Sequence, residues 1–394
     1  MPEHKLTNFI LHRELKLQNS YSPAPWITIY HCVKVSQGEV CPRCASFCNT
    51  TYDRRRVKLK DAPIRGTSVE LWVQKRRLWC KRCKKPFTEP VAGVMPRRRT
   101  TQRFRRSVLW ASETFCDLKK VRKFYRCSND FIYNAVYEQL ELRRKAHNNY
   151  PWPRRIGLDE HNFLSTKHGT RQFVSMIVDH DNKKLRDVVL GKSRQDLWQG
   201  LENIPGRENV KLCSIDLADS YKSFIKNFFP NAEIVADKFH VIRLLTGAIN
   251  RRRKEITGDK RSNPIRKLLL RNNFNLSYPE KFALNKWLEQ NPVLYEVYWA
   301  KEALHRFYRT NSYNKAKIAL GHFLERLKQT ALPELKTLWR TLTKWQNEIL
   351  NYFKYRLTNA RTEGFNNVAK LVKRRSYGFR SFKNYRLRLL SACS

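Results

Sequence analysis

The chain has 394 residues, with 79 Lys or Arg against 34 Asp or Glu, a formal charge of +45. Its 41% hydrophobic and 12% aromatic residues are enough to bury two or three cores, which excludes a disordered basic tail. No apolar run reaches the roughly 18–20 residues of a bilayer span, and Met1-Pro2-Glu3-His4-Lys5 lacks a signal-peptide core, so a cytoplasmic protein without membrane contact is expected.

Cations are spread along the whole chain, as in Arg54-Arg55-Arg56, Arg97-Arg98-Arg99, Arg251-Arg252-Arg253 and Lys373-Arg374-Arg375. A merely soluble surface would mix signs. An unbalanced one points to a polyanion, double-stranded DNA first, held by contacts that weaken steeply with salt. In a reducing compartment the ten cysteines are expected to be thiols or metal ligands before disulfides.

Residues 1–92 hold six of the ten cysteines and alternate as β-ribbon does, for example Val69-Glu70-Leu71-Trp72-Val73. Cys41-Pro42-Arg43-Cys44 and Cys80-Lys81-Arg82-Cys83 are two C-x-x-C knuckles, each able to bite one ion and together able to close a tetrahedral Zn²⁺ site. The gap between them exceeds the usual ribbon spacing of about 15–20 residues, so a hairpin must bring them together, with Cys32 and Cys48 as spare thiols. A closed four-sulfur site has no open position, so its role would be folding.

Residues 93–150 open on Pro96 and a basic run, then show helical spacing at Val108, Leu109, Phe115, Leu118, Val121, Phe124, Ile132, Val136 and Leu140. A break at Arg126-Cys127-Ser128-Asn129, with Ser128 or Asn129 as N-cap, reads as a helix-turn-helix or as a plain packed hairpin. Asn129, Tyr133 and Asn134 occupy the early turns of the second helix, where base edges are read.

From Pro151-Trp152-Pro153 to residue 243, strands are predicted at Ile156–Leu158, Phe173–Val178 and Val188–Leu190. A helix, a strand ending at Ile215, a second helix and a strand ending at Ala236 follow, giving a mixed α/β sheet. Residues 244–350 read as an inserted helical domain whose turns lie near Gly258, Pro264, Pro279, Pro292 and Pro333, and residues 351–394 as the return to the core. Trp287, Trp299, Trp339 and Trp345 of the insertion are either core or a stacking platform for an unpaired base.

Acids are scarce, so their placement carries weight. Asp159 directly follows Ile156-Gly157-Leu158 and Asp216 follows Cys213-Ser214-Ile215, so both project from strand ends within reach of one cation. Mg²⁺ or Mn²⁺ takes such oxygen ligands, and two-metal phosphodiester chemistry needs them. Glu363, on a helix after the insertion, is the third candidate, with Lys370 on the same face for a phosphate. Glu160, Asp179 and Asp219 are possible substitutes. No Walker-type loop is present, so no nucleotide cofactor is expected.

Taken in order, the paired cysteines, the helical module, Ile156-Gly157-Leu158-Asp159-Glu160, Ile215-Asp216, Ala236-Asp237-Lys238-Phe239-His240-Val241 and Glu363-Gly364-Phe365-Asn366 resemble the bacterial DDE transposases of the ISL-three insertion-sequence family over nearly the whole length. The resemblance implies a ribonuclease H-like core interrupted by a helical insertion, with Asp159, Asp216 and Glu363 as catalytic triad and magnesium ligands. It also places Asp237 and His240 as a D-x-x-H element beside the site, and Lys373, Arg374 and Arg375 along the DNA path. The implied activity is cleavage and strand transfer at the terminal inverted repeats of an insertion sequence, performed by a dimer or larger assembly on transposon ends and target DNA in a bacterial nucleoid. The rival expectations are a zinc-dependent DNA-binding regulator and a metal-dependent nuclease without strand transfer.

Overall fold

The computed structural model describes residues 14–115, 117–165, 171–258 and 263–394. They form two compact units: the described residues up to Arg143 with Arg375–Gly378, and Arg144–Arg374 with Phe379–Ser394.

The first unit is built on a sheet whose strands alternate buried and outward residues, as the Val69–Val73 pattern predicts. Strands β1 (Leu15–Ala24), β2 (Ile27–Lys34), β5 (Thr51–Ile64) and β6 (Thr67–Cys80) lie in the order β1-β2-β6-β5, and β7 (Lys85–Thr88) pairs with the end of β6. A small ribbon, β3 (Glu39–Val40) with β4 (Phe47–Cys48), carries the first cysteine knuckle. Leu59, Val69, Leu71, Val73 and Cys32 fill one face. The strand β5 joins β1-neighbouring β2 only through β6, and the long β5–β6 hairpin is the device that returns Cys80 to the neighbourhood of Cys41.

Three helices follow. The Thr101 hydroxyl caps α1 (Gln102–Thr114) by accepting from Phe104 N, and the Asp117 carboxylate caps α2 (Leu118–Tyr125) by accepting from Lys120 N. Arg126, left-handed at φ 49°, stops α2; Ser128 Oγ then accepts from Phe131 N at 3.3 Å and opens α3 (Asn129–His147). The predicted break and cap are both present.

In the second unit β8 (Arg155–Ser165), β9 (Arg171–Asp179), β10 (Lys184–Leu190), β11 (Leu212–Ile215) and β12 (Glu233–Ala236) form one sheet in the order β10-β9-β8-β11-β12. The strand β9 is antiparallel to β8 and β10, whereas β8, β11 and β12 run parallel. Helices α4 (Arg194–Leu201) and α5 (Asp219–Phe228) supply the crossovers. Both sheet faces are covered, so the central strands are apolar on both sides: Ile156, Leu158 and Ile177 belong to one core, Val174, Met176 and Val178 to another.

Eight helices come next: α6 (Lys238–Arg243), α7 (Thr246–Thr257), α8 (Pro264–Leu270), α9 (Tyr278–Glu289), α10 (Pro292–Phe307), α11 (Tyr313–Lys328), α12 (Pro333–Lys344) and α13 (Gln346–Tyr355). The prolines read as turn signals sit at the first positions of helices, where a missing N–H costs nothing. Trp345 is buried, and Trp287, Trp299 and Trp339 pack against the same core, so these rings serve packing rather than base stacking. The chain then returns through α14 (Ala360–Arg375) and α15 (Phe382–Ala392).

A buried polar knot fixes that return. The Asn359 side-chain oxygen accepts from Ser214 Oγ and Thr362 Oγ1, both at 2.8 Å, its Nδ2 donates to Leu158 O, and its backbone N donates to Asp237 Oδ1 at 3.1 Å. One residue thus ties β8, β11, the residue after β12 and the first turn of α14. His180 Nε2 lies 3.0 Å from Ser214 Oγ, and burial pushes its imidazole down to about 4, so it is neutral there. Gly157 makes room: a Cβ would lie 2.6 Å from His180 Nε2 and 2.8 Å from both Asn359 Oδ1 and Thr362 Oγ1.

Gly157→Ala is therefore expected to cost about 1–3 kcal/mol by overpacking, and Asn359→Ala a similar amount by stranding buried hydroxyls. Denaturant unfolding checks both, and wild-type stability in either variant would show that the knot is dispensable.

Candidate active site

The parallel register pairs Ser214 with Gly157 and Ile215 with Ala236. Extending it one or two residues places Asp159, Asp216 and Asp237 side by side on three neighbouring strands, which lie about 4.8 Å apart. Asp216 directly follows β11 and Asp237 directly follows β12, whereas Asp159 is the fifth of eleven residues of β8, within the strand rather than at the end that the sequence predicts, because pairing with β9 continues to Ser165. Asp159 Oδ1 accepts from Glu160 N at 2.7 Å, and its Oδ2 accepts from Asn366 Nδ2 at 2.6 Å. Asp216 Oδ1 is buried with no partner. Asp237 is buried, and its backbone N donates to Ile215 O at 2.7 Å.

Burial raises the Asp159 carboxyl above its ordinary value, opposed by its backbone hydrogen bond and by His240. Burial, reinforced by the Asp159 charge, pushes Asp216 up to about 6. His240, on the first turn of α6, sets Nδ1 3.0 Å from Asp237 Oδ2, and that bond raises its pKa against the effect of burial. His240 thus faces a row of acids that favours its protonated form. An unpartnered buried carboxylate oxygen beside a second desolvated carboxylate is what a divalent cation of hard, oxygen-seeking type fits.

Glu363 is exposed on the first turn of α14, its N–H donating to Asn359 O. Among the described residues, the carboxylates of Asp159, Asp216 and Glu363 do not all lie within 4.8 Å of one another. The helix reaches the acid row instead through Asn366, one turn beyond Glu363. The substitutes are otherwise engaged: Glu160 pairs with Lys192 at 2.9 Å, Asp179 accepts from Tyr150 and Asn182, and Asp219 pairs with Lys344 at 2.5 Å.

Lys370 and Arg374 are exposed on α14; Lys373 Nζ donates to Asn162 O at 2.7 Å; Arg375 donates to the carbonyls of Glu113 and Phe115. Asn129, Tyr133 and Asn134 are all exposed on α3. Sequence reading assigned no role to Asn359, Asn366 or His161. His161 is hydrogen-bonded to Tyr385, and burial with the nearby Lys373 and Lys370 holds its imidazole down at about 4. The only signal for them was adjacency, since Asn366 closes the Glu363-Gly364-Phe365-Asn366 motif and His161 stands two residues after Asp159.

In the first unit the Sγ atoms of Cys41, Cys44, Cys80 and Cys83 all lie within 4.8 Å of one another, with Cys44–Cys80 at 3.6 Å and Cys41–Cys83 at 4.0 Å. Four thiolates around one zinc stand about 3.8 Å apart, given Zn–S bonds of about 2.3 Å, so the cluster is compatible with a zinc ribbon. Both knuckles turn alike: Ala45 and Lys84 take φ 56° and 51° and donate to the carbonyls of Cys41 and Cys80. The Ser46 hydroxyl draws the Cys44 thiol down to about 6. Cys32 lies in the sheet core, where burial pushes its thiol up to about 12, and neither it nor Cys48 belongs to the group of four sulfurs within 4.8 Å, so neither spare thiol replaces a knuckle member.

The acid row makes a pH prediction. Asp216 titrates near 3.8 when unfolded and about 6 when folded. Well below pH 3.8 both states are neutral and nothing is lost; as pH rises through that value the unfolded chain ionises first, so stability falls until about pH 6. Without added divalent metal, Asp216→Asn should gain up to roughly 2–3 kcal/mol at pH 7.5 and less than about 1 kcal/mol at pH 4. Denaturant titrations at the two pH values measure this, and an equal effect at both would remove the charge argument.

Residues 156–389 match a family described as Transposase, of the DDE ISL-three type. The chain is 26% identical over 369 residues to the transposase for insertion sequence element IS1001 of Bordetella parapertussis, covering 90% of this chain and 88% of that one. It is 23% identical over 259 residues to the transposase for insertion sequence element IS1557 of Mycobacterium tuberculosis, covering 58% and 57%. The matched region contains the aspartate row, the polar knot and the helix bearing Glu363, and the chain belongs to the ISL-three family of transposases.

Proposed function

We propose that the protein binds the terminal inverted repeats of an insertion sequence and catalyses metal-dependent cleavage and strand transfer there. The carrying observation is the row of aspartates on neighbouring parallel strands, Asp159 within β8 and the other two directly after β11 and β12, two of them desolvated and one with an unpartnered oxygen. The strand order β10-β9-β8-β11-β12, with only β9 reversed, supports a ribonuclease H-like core formed by 151–243 and 351–394 around the insertion 244–350. The modules 1–92 and 93–150, a zinc ribbon and a helix-turn-helix, would hold the DNA, with Asn129, Tyr133 and Asn134 at base edges.

Asp159 and Asp216 would hold Mg²⁺ or Mn²⁺, with Glu363 brought in by rotation of its exposed side chain when DNA and metal bind. The metal supplies activation of the attacking water and stabilises the leaving 3′-oxygen. Asn366 holds Asp159 in one orientation, leaving its other oxygen to the Glu160 N–H. His240, held by Asp237, places positive charge beside the row and moderates its repulsion. Lys370 on the same helix is free to meet a phosphate. The water oxygen bonds to phosphorus as the P–O3′ bond breaks and a water proton passes to the departing 3′-oxygen; the oxygen of the freed 3′-hydroxyl then bonds to a target phosphorus as the target's own P–O3′ bond breaks, and its proton ends on the target's released 3′-oxygen. One phosphodiester is exchanged for another, so no nucleotide is consumed. Two ends must be held at once, which requires a dimer or larger complex.

Purified protein is to be mixed with element-end DNA and Mg²⁺, and binding and cutting followed separately. Asp159→Ala, Asp216→Ala and Glu363→Ala should bind like wild type and cut at least about 1,000-fold more slowly, the ~4 kcal/mol a metal contributes. Wild type that binds but never cuts with Mg²⁺ or Mn²⁺ would favour a DNA-binding regulator. Cut products that are never joined to target would favour a nuclease.

A chelator of high zinc affinity is expected to unfold the ribbon and abolish end binding, as is Cys80→Ser. Release of one zinc per chain on thiol modification measures the stoichiometry.

A further inference from the structure

The outer face of the first unit's sheet carries an arrangement that neither folding nor the acid site uses. Tyr21, His31 and Trp72 form a continuous ring cluster across three strands, with centroids 5.7 Å (Tyr21–His31), 5.2 Å (His31–Trp72) and 6.5 Å (Tyr21–Trp72) apart. Register makes this one face: Asn19 pairs with His31, His31 with Trp72 and Trp72 with Lys58. Lys58 Nζ lies 4.2 Å from the Trp72 ring centre and the Arg56 guanidinium 5.9 Å from it. Arg54, Arg56 and Lys58 are exposed at every second position of β5, about 6.6 Å apart along one line. Among the described residues none of the three makes an ion pair, although the Asp53 carboxylate next to them does so with Arg55 and Arg77.

A face kept only for solubility would pair or scatter its charges and would bury Tyr21, which is 46% exposed. At its far end Lys60 Nζ donates to the carbonyls of Tyr125 and Arg126, at 2.8 and 3.0 Å, so the face runs up to the turn that precedes α3. Arg126 there lies 3.9 Å over the half-exposed Trp26 ring. Cations without counter-charge, flat aromatic surface and continuity with the exposed Asn129 and Tyr133 all fit one occupant.

We infer that this sheet face is a second DNA-binding surface, sequence-independent, on which Arg54, Arg56 and Lys58 meet the phosphates of one strand of duplex DNA while Tyr21 packs against its sugar edge. It rests on the DNA-binding reading above and extends it from helix α3 to the sheet. It would hold duplex beside the base-read segment and supply affinity without sequence preference.

The test uses the full chain and a random-sequence 30-base-pair duplex, with affinity followed by anisotropy between about 50 and 300 mM salt. Arg54→Ala/Arg56→Ala/Lys58→Ala should lower the slope of log affinity against log salt by about 2–3 and weaken binding at least 10-fold at 150 mM. Arg54→Lys/Arg56→Lys should retain the wild-type slope, which separates charge from fold damage. Tyr21→Ala should weaken binding several-fold at an unchanged slope. If wild type binds with a steep slope and the triple variant, folded by circular dichroism, keeps it, the sheet face is off the DNA path while the transposase reading stands. If wild type fails to bind duplex at all, the DNA-binding reading falls and this surface with it.

Discussion

Packing like charges together in a water-poor place is the constraint around which the second unit is organised. Asp159, Asp216 and Asp237 stand on adjacent strands because the parallel register of β8, β11 and β12 allows no other placement. Their mutual repulsion and desolvation work against folding, which is why Asp216 is pushed to about 6. The fold offsets this with His240, whose protonated form the acids favour, with the Asn366 amide on Asp159 and with the Asn359 backbone on Asp237. A site held against its own electrostatics is a site prepared for a cation.

The polar knot under that row has a different task. Strands so short cannot define by themselves where a helix arriving more than a hundred residues later will dock. Asn359 does so by bonding its side chain to two strands, β8 and β11, and to Thr362, and its backbone N–H to Asp237 after β12. Every partner is buried, so a slipped helix would leave several polar groups unsatisfied at once. Glu363, four residues on, inherits its position from this arrangement while its carboxylate stays exposed. Fixed backbone with a free side chain suits an acid that engages only when metal and DNA arrive.

The first unit solves the opposite problem. Its cationic surface needs a scaffold that does not depend on a large core, and the four thiols bring the small ribbon and the β5–β6 hairpin to one point. The same hairpin presents Arg54, Arg56 and Lys58 outward, so the strand that brings the cysteines together also carries the free charge.

Local chemistry was legible in the sequence: the alternation of β6, a cap at Ser128 or Asn129, the knuckles, the apolar runs that lead into Asp159 and Asp216, and the helical run after residue 238. These depend on neighbours a few residues away, and spacing alone reports them. The tertiary structure decided what depends on register and docking. It set Asp237 in line with Asp159 and Asp216, tied Asn366 to an acid 207 positions earlier, excluded Cys32 and Cys48 from the thiol cluster, and turned four tryptophans into core. It also kept Glu363 out of a closed cluster with the two aspartates. The sequence names which residue types can do the chemistry, because side-chain chemistry is local; which of them meet is a property of strand order and helix docking, and those are set by contacts between residues far apart in the chain.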